Sequence, residues 1–320
     1  MRALFFGTPD FAVPSLGALA EVATVVGVVC QPDRPASRGL KLTPPPVKER
    51  ALAMGIPVVQ PTKLRTGEFA EWVRAQDVDV ALVIAYGRIL PQDVLDGPRL
   101  GCVNVHASIL PKYRGAAPIT WAIVRGETET GITLMKMDAG MDTGDVLEIT
   151  RTLIGEDETA GELGARLSEL GAHSVRDGIP RFVRGELTQR PQDSTQASLA
   201  PLLEKQMGQI DWTQPATQIH DHVRGMNPWP MAFSFRPTPA PTPTLTPNAR
   251  VIVHRTKKVA GTVSRAVKPG EVVIADKSRV VVACGEGLIE LVRVQLEGKK
   301  AVTGAEWFLG RGVREGDVLG

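Results

Sequence analysis

The chain has 320 residues, 43% of them hydrophobic and 22% charged, with a formal net charge of +2. That length favours two domains over one, and the composition is that of a chain able to bury a core. No run approaches the roughly 18–20 apolar residues of a membrane helix, which sets a membrane protein aside. The opening MRALFFGTPDFAVPSL lacks the pattern of a signal peptide. Three dispersed cysteines, Cys30, Cys102 and Cys284, predict unpaired thiols in a reducing compartment, hence a cytoplasmic chain. The small net charge hides an asymmetry. Residues 1–206 carry 22 Lys and Arg against 25 Asp and Glu, whereas residues 207–320 carry 15 against 10. A balance of +5 in the last third suits a polyanionic partner as well as it suits a solvated basic surface.

In chain order, Ala3–Gly7, Val22–Val29, Val78–Ala85 and Cys102–His106 are short, continuous and rich in β-branched residues. Such runs predict strands buried on both faces of a parallel sheet. Helix-like segments at Asp10–Leu19, Pro46–Met54 and Glu68–Gln76 alternate with them, which specifies βαβ units and a doubly wound α/β domain. Next come a helix over Ala117–Arg125, strands over Thr130–Met137 and Asp145–Arg151, and a long covering helix over Glu162–Gly178. The polar text LTQRPQDSTQASLAP then predicts a linker at 190–206, separating a domain at 1–189 from one at 207–320.

The last third begins with a helix at Pro215–Arg224, where Pro suits the first turn and Ile219 and Val223 stand four apart. Short strands over 231–235, 250–254, 271–275, 279–284 and 287–294, separated by turn residues, predict a small β-barrel. The low-complexity stretch PTPAPTPTLTP at 237–247 predicts an exposed extended loop.

The densest chemistry lies in GCVNVHASILPKYRGAAP, residues 101–118. Residues two apart on a strand share a face, so Asn104 and His106 project together while Val103 and Val105 face a helix layer. Sites in open α/β sheets form beyond the carboxyl ends of the strands. There an amide can donate to a developing oxyanion and an imidazole can handle a proton. A strand-end His satisfied by a backbone carbonyl is the plain alternative, but the paired Asn favours chemistry. The loop MDAGMDTGD offers Asp138, Asp142 and Asp145 as a carboxylate to orient His106, and the residues alone do not choose among them. The stretch 31–48 is a basic, Pro-rich loop whose Arg34, Arg38, Lys41 and Lys48 suit phosphates. Dinucleotide and P-loop fingerprints are absent. His220 and His222, two apart on a predicted helix, make a poor metal pair, and no metal site is expected.

These segments together resemble the 10-formyltetrahydrofolate transformylases. The likeness rests on Asn104-Val-His106-Ala-Ser108-Ile-Leu-Pro111, on Arg114-Gly115-Ala-Ala-Pro118, on Gly131-Ile-Thr-Leu-Met, and on Met137-Asp-Ala-Gly-Met-Asp142-Thr-Gly144-Asp. Within that superfamily the chain is similar to the methionyl-tRNA formyltransferases, through Phe6-Gly-Thr-Pro-Asp-Phe-Ala12, the loop from Gln31 to Gly39, Ala85-Tyr86-Gly87, Asn227-Pro-Trp-Pro230 and Gly298-Lys-Lys300. The resemblance implies a Rossmann-like formyl-folate domain followed by a small OB-like barrel that binds tRNA. It implies 10-formyltetrahydrofolate and initiator methionyl-tRNA as substrates, with no metal and a monomeric enzyme. It selects Asp142 as the carboxylate beside Asn104 and His106. It assigns Ser108, Ile109, Leu110, Pro111, Tyr86 and Gly87 to the folate, and Arg34, Arg38 and Lys41 to the tRNA. The chemistry it implies is direct attack of the methionyl amine on the formyl carbon through a tetrahedral intermediate. A sugar formyltransferase, a formyl-folate hydrolase module, an RNA-binding barrel on a decayed scaffold and a nicotinamide dehydrogenase are the competing readings. The intact Asn104, His106 and Asp142, the basic last third and the missing glycine fingerprint speak against them.

Overall fold

The computed structural model describes residues 1–36, 41–237, 248–261, 263 and 265–320, so Arg38 and residues 238–247 of the Pro-rich stretch lie outside the described residues. The chain forms two compact units. One comprises Met1–Pro118, Glu129–Leu153 and Leu163–Pro201; the other comprises Ile119–Thr128, Ile154–Glu162 and Leu202–Gly320.

Through residue 200 the chain runs β1 (Arg2–Gly7), α1 (Val13–Val22), β2 (Thr24–Val29), β3 (Arg34–Ala36), β4 (Lys41–Thr43), α2 (Pro46–Ala53), β5 (Val58–Val59), α3 (Glu68–Ala75) and β6 (Val80–Ile84). It continues with α4 (Gln92–Leu95), β7 (Cys102–His106), β8 (Arg114–Gly115), α5 (Pro118–Val124), β9 (Glu129–Lys136), β10 (Val146–Leu153), α6 (Ala160–Val183) and β11 (Leu199–Ala200). Seven strands make one sheet in the order β5-β2-β1-β6-β7-β9-β10. The first five are parallel, and β9 and β10 add an antiparallel edge. The chain lays strands outward from β1 to β5 and then restarts on the other side at β6. Neighbouring connections therefore diverge at β1 and β6, opening a crevice at their carboxyl ends.

Burial follows the two-residue alternation. Leu4 and Phe6 of β1, fully buried, pack with Val29, Ala81, Val83, Phe69 and Val73 on the face covered by α3 and α4. Each such side chain contributes about 1.5–3 kcal/mol of burial. On the opposite face Val105 packs against α6, where a Cβ on Gly171 would meet its Cγ1 in ordinary contact at 3.4 Å, and the strand alternation turns Asn104 and His106 away from this helix. The helix α6 runs past its expected end at 178 and through Pro180 to Val183. Proline removes one ladder bond, but buried Val175, Ile179 and Phe182 keep the helix on the sheet.

The second unit contains α7 (Ala216–Gly225), β12 (Ala232–Pro237), β13 (Asn248–Val259), β14 (Val272–Ala275), β15 (Val280–Ala283), β16 (Leu288–Leu296), β17 (Val302–Thr303) and α8 (Gly304–Leu309). The ladder β12-β13-β16-β15-β14 is antiparallel throughout, with β17 added to β16. Its two end strands are joined by the last residues of the chain. Gly320 and Phe235 exchange N–H···O bonds of 2.9 and 2.7 Å, Leu319 N donates to Gly270 O at 2.8 Å, and Val272 N donates to Asp317 O at 2.8 Å. The sheet is thereby closed into the barrel the strand pattern predicts, with the exposed donors and acceptors of two edges removed. Both histidines of α7 are built into this unit. His220 is buried between Thr256 Oγ1 at 3.0 Å and Glu156 O at 3.2 Å, and burial pushes the His222 imidazole below its ordinary value.

Candidate active site

The strand β7 ends beside the carboxyl end of β6, and its last face-sharing pair is Asn104 and His106. The loop between β9 and β10 brings Asp142 to them. Asn104 Nδ2 donates to Asp142 Oδ1 at 3.2 Å, and His106 Nδ1 lies 3.7 Å from Asp142 Oδ2. The backbone N–H of Gly115 also donates to Asp142 Oδ2, at 2.8 Å. Of the three aspartates, Asp138 instead holds its own loop, accepting from Gly140 N at 3.0 Å and Thr143 Oγ1 at 2.7 Å. The carboxylate that meets the amide and the imidazole is that of Asp142.

The imidazole is only 6% exposed. Its Nε2 lies 2.9 Å from Tyr113 O, and a carbonyl can only accept, so this nitrogen carries the hydrogen. In the neutral ring the bare nitrogen is then Nδ1, which faces a carboxylate. A second proton at Nδ1 gives an imidazolium held between a carbonyl and an anion, a form able to donate to negative charge arising nearby. The plain reading of a strand-end His bound to a backbone carbonyl describes one ring nitrogen and leaves the other to Asp142. Asn104, with one amide hydrogen on Asp142, meets no protein acceptor for the second among the described residues.

The other sequence-selected residues fall into three groups. Ser108 and Leu110 are buried, and Ile109 and Pro111 half-buried. The Ser108 hydroxyl donates to Lys112 O at 2.7 Å, and Leu110 packs with Met135 and Val146, so these two side chains brace the loop and Ile109 and Pro111 offer more of their surface. The Tyr86 ring turns into the core, edge-on to Phe6 at 5.5 Å, and leaves its backbone toward the crevice. Its carbonyl accepts from Thr8 Oγ1 and Gln31 Nε2, both at 3.1 Å, across the crevice between β1 and β6. Burial pushes the Tyr86 phenol up to about 12. Gly87 follows at a φ of 80°, exposed, and leads into an open depression of about 480 Å³ lined by Lys63, Arg65, Thr66, Arg88, Leu64 and Ile89.

In the basic loop, β3 and β4 pair as a short hairpin with Arg34 exposed at its base, and Lys41 opens β4. Lys48 departs from its expected role. Its ammonium is held by Asp33 at 2.8 Å and Gln60 Oε1 at 2.9 Å, which occupies the charge a phosphate would need. The Lys48 ammonium and then the Gln60 amide keep the Asp33 carboxyl below its ordinary range.

Sequence reasoning missed two residues against this site. Arg114, 8% exposed, directs Nε and a terminal nitrogen onto Gln192 Oε1 at 3.1 and 2.8 Å. Gln192 Nε2 donates in turn to Asp142 O at 2.8 Å and Gly144 O at 2.7 Å. No local signal marks Gln192, because it sits in polar text 50 residues from Asp142 in sequence.

An amide, an imidazole and a carboxylate converging at the carboxyl edge of a Rossmann-like sheet, with a small barrel in a second unit, define a class. Residues 1–177 match the formyl transferase family, and residues 202–312 match the formyl transferase C-terminal domain. The chain is a two-domain formyl transferase. Along its full length it is 57% identical to a methionyl-tRNA formyltransferase of Sorangium cellulosum over 320 residues, covering 100% of both chains. It is also 46% identical to that of Myxococcus xanthus over 316 residues, covering 98% of this chain and 96% of the other. It therefore belongs to the methionyl-tRNA formyltransferase family. The crystal structure of WlaRD, a sugar 3N-formyl transferase with dTDP and 5-N-formyl-THF, shares the fold with a TM-score of 0.65 at 16% identity, covering 94% of this chain and 99% of the other. HypX from Aquifex aeolicus in complex with tetrahydrofolic acid aligns with a TM-score of 0.61 at 19% identity, over 98% of this chain and 48% of that one. Among the described residues no helix is long and apolar enough to cross a membrane, and no group of three His, Cys, Asp or Glu side chains could hold a metal ion.

Proposed function

We propose that this protein transfers the formyl group of 10-formyltetrahydrofolate to the α-amine of initiator methionyl-tRNA, giving N-formylmethionyl-tRNA and tetrahydrofolate. The observation that carries the reading is the meeting of Asn104 and His106 on the Asp142 carboxylate, at 3.2 and 3.7 Å, in a chain of this family. The folate supplies the formyl carbon. A bond forms from the methionyl nitrogen to that carbon, the bond from the carbon to folate N10 breaks, and the proton lost by the amine ends on N10. Asn104 donates its second amide hydrogen to the formyl oxygen as charge gathers there. His106, in its imidazolium form, would add electrostatic stabilisation, and Asp142 keeps the ring aligned and accepts the amine proton on its way to N10. The neutral amine is the attacking form, and an α-amino group near 7.7–8.0 supplies a usable neutral fraction at about pH 7 to 8.

Ile109, Pro111 and the backbone of Ser108, Leu110, Tyr86 and Gly87 are the proposed folate contacts. Arg34, Arg38 and Lys41 are proposed to engage tRNA phosphates, together with the +5 balance of residues 207–320. The enzyme is proposed to act as a monomer in the cytoplasm. The test is to supply 10-formyltetrahydrofolate with charged initiator tRNA and, separately, with a dTDP-amino sugar. Formylation of the aminoacyl amine is expected. Formylation of the sugar alone, or of neither acceptor, would overturn the assignment.

A further inference from the structure

The span from Arg190 to Ala200, polar enough to read as a linker, is stitched to both loops that carry the site. Arg190 and Val146 exchange backbone hydrogen bonds of 3.0 and 2.9 Å just beyond the Asp142 loop. Ser198 Oγ accepts from Tyr113 N at 3.0 Å, and Ser198 O accepts from Arg114 N at 2.9 Å. Residues Leu199–Ala200 form β11, parallel to β8. A Cβ on Gly115 would stand 2.6 Å from Ala200 O, so this approach needs glycine there, at a φ of 124°.

Gln192 lies at the centre of this strap. Its amide nitrogen holds the carbonyls on both sides of Thr143, and its amide oxygen holds the Arg114 guanidinium. Arg114 is flanked by the two backbone groups that touch the site: Tyr113 O takes the His106 Nε2 hydrogen, and Gly115 N donates to Asp142. Tyr113 and Asp142 both sit in the left-handed region, at φ 64° and 55°, a conformation that non-glycine residues keep only when their surroundings impose it. A single planar amide therefore couples the loop of the carboxylate to the loop that orients the imidazole.

We propose that Gln192, bonded directly to the Asp142 loop and braced by Arg114, is a positioning residue for formyl transfer, setting Asp142 against Asn104 and His106. It touches no reacting atom, and the proposal rests on the formyl-transfer reading above. Misplacing a reacting group by about 1 Å costs on the order of 100-fold in rate, so Gln192→Ala is expected to lower kcat about 10- to 100-fold. The KM for methionyl-tRNA should stay within about threefold, because no phosphate contact is removed. The near-isosteric Gln192→Glu keeps the acceptor for Arg114 and sets an oxygen against the two loop carbonyls. It is expected to lose kcat similarly while unfolding at close to the wild-type temperature.

A double-mutant cycle with Asp142→Ala, read by single-turnover formylation, separates positioning from a general structural role. If Gln192 works through Asp142, adding Gln192→Ala to Asp142→Ala should slow the reaction less than about twofold. A full 10-fold further loss in that background would overturn the proposal. So would unchanged kcat in both single variants, or loss of the folded state in both. Wild-type enzyme run in parallel keeps the two claims apart. Active wild type with unaffected Gln192 variants removes this inference alone, whereas inactive wild type removes the assigned reaction and this inference with it.

Discussion

Replacing Asp142 by Asn keeps the volume of the side chain and changes only its charge and hydrogen-bonding sense. The carboxylate accepts twice, from Gly115 N at 2.8 Å and from Asn104 Nδ2 at 3.2 Å. An amide has one oxygen, so either orientation sets its NH2 against one of these donors. Losing one hydrogen bond to a charged acceptor is worth about 1.5–3 kcal/mol. The substitution also removes the anion 3.7 Å from His106 Nδ1. At an effective dielectric near 20, a charge pair at that distance interacts by about 4 kcal/mol, an upper figure for a carboxylate with some solvent access. With about 1.4 kcal/mol per decade of rate, a net loss of roughly 3–4 kcal/mol predicts a fall in kcat of about 10²–10³. Single-turnover formylation at saturating donor, followed by resolving formylated from unformylated aminoacyl-tRNA, reads the chemical step directly. The KM for tRNA should move less than about threefold and the melting temperature by only a few degrees. Turnover within about threefold of wild type, in a variant folded as stably, would refute the role given to this carboxylate.

Three further outcomes are expected. Asn104→Ala should lower kcat by about 10²–10³ with little change in tRNA affinity, the usual scale for one oxyanion donor, and steady-state kinetics checks it. Tyr86, its phenol buried and pushed up to about 12, should remain protonated while the protein is folded. An unfolded tyrosine ionises near about 10, so the stability contributed by this group is complete below that pH and is lost as pH rises toward about 12. With Tyr113→Phe leaving Tyr86 as the single tyrosine, phenolate absorbance should appear together with alkaline unfolding, and a simple titration near pH 10 in folded protein would contradict its burial. Leu319, 2% exposed in the segment that closes the barrel, should cost about 2–5 kcal/mol on replacement by Ala, measured by denaturant unfolding of the whole chain.

Much of the first unit was legible because its strands are buried on both faces. Arg2–Gly7, Thr24–Val29, Val80–Ile84 and Cys102–His106 show as apolar runs, and their order with the helices forces a parallel sheet. The pairing of Asn104 with His106 follows from the two-residue strand period alone. The selection of Asp142 over Asp138 and Asp145 came from family likeness, since three aspartates in a glycine-rich loop look alike until the backbone directs one outward. The strap around Gln192 was hidden for another reason. Its contacts are hydrogen bonds to main-chain atoms, which impose no hydrophobic period, so its text resembles that of a linker. The closure of the barrel by Asp317–Gly320 was hidden likewise, as it rests on main-chain pairing and one leucine. Lys48 shows the converse failure: a cation in a basic loop invites a phosphate until Asp33 and Gln60 are found holding it.

The placement of backbone strain gives these observations one physical basis. Among the described residues, six non-glycine residues have a positive φ, and three of them are Ala85, Tyr113 and Asp142. Ala85 follows β6 and precedes the Tyr86 carbonyl that binds Thr8 and Gln31; Tyr113 presents the carbonyl for His106; Asp142 is the carboxylate itself. A left-handed residue with a side chain is disfavoured by about 1–2 kcal/mol, yet glycine at 113 or 142 would release the chain to other conformations in the unfolded and folded states alike. A side chain that must point in one direction from a tight turn gains from a backbone held rigidly there, even at that cost. The cost is offset by the polar contacts of the strap, Ser198 on Tyr113 and Gln192 on Asp142, which are absent from the unfolded chain. Strain and strap are thus two halves of one arrangement. Through Gln192 and Ser198, a distant polar segment reaches the loops that carry the carboxylate and the carbonyl holding the imidazole, and so joins the proposed site.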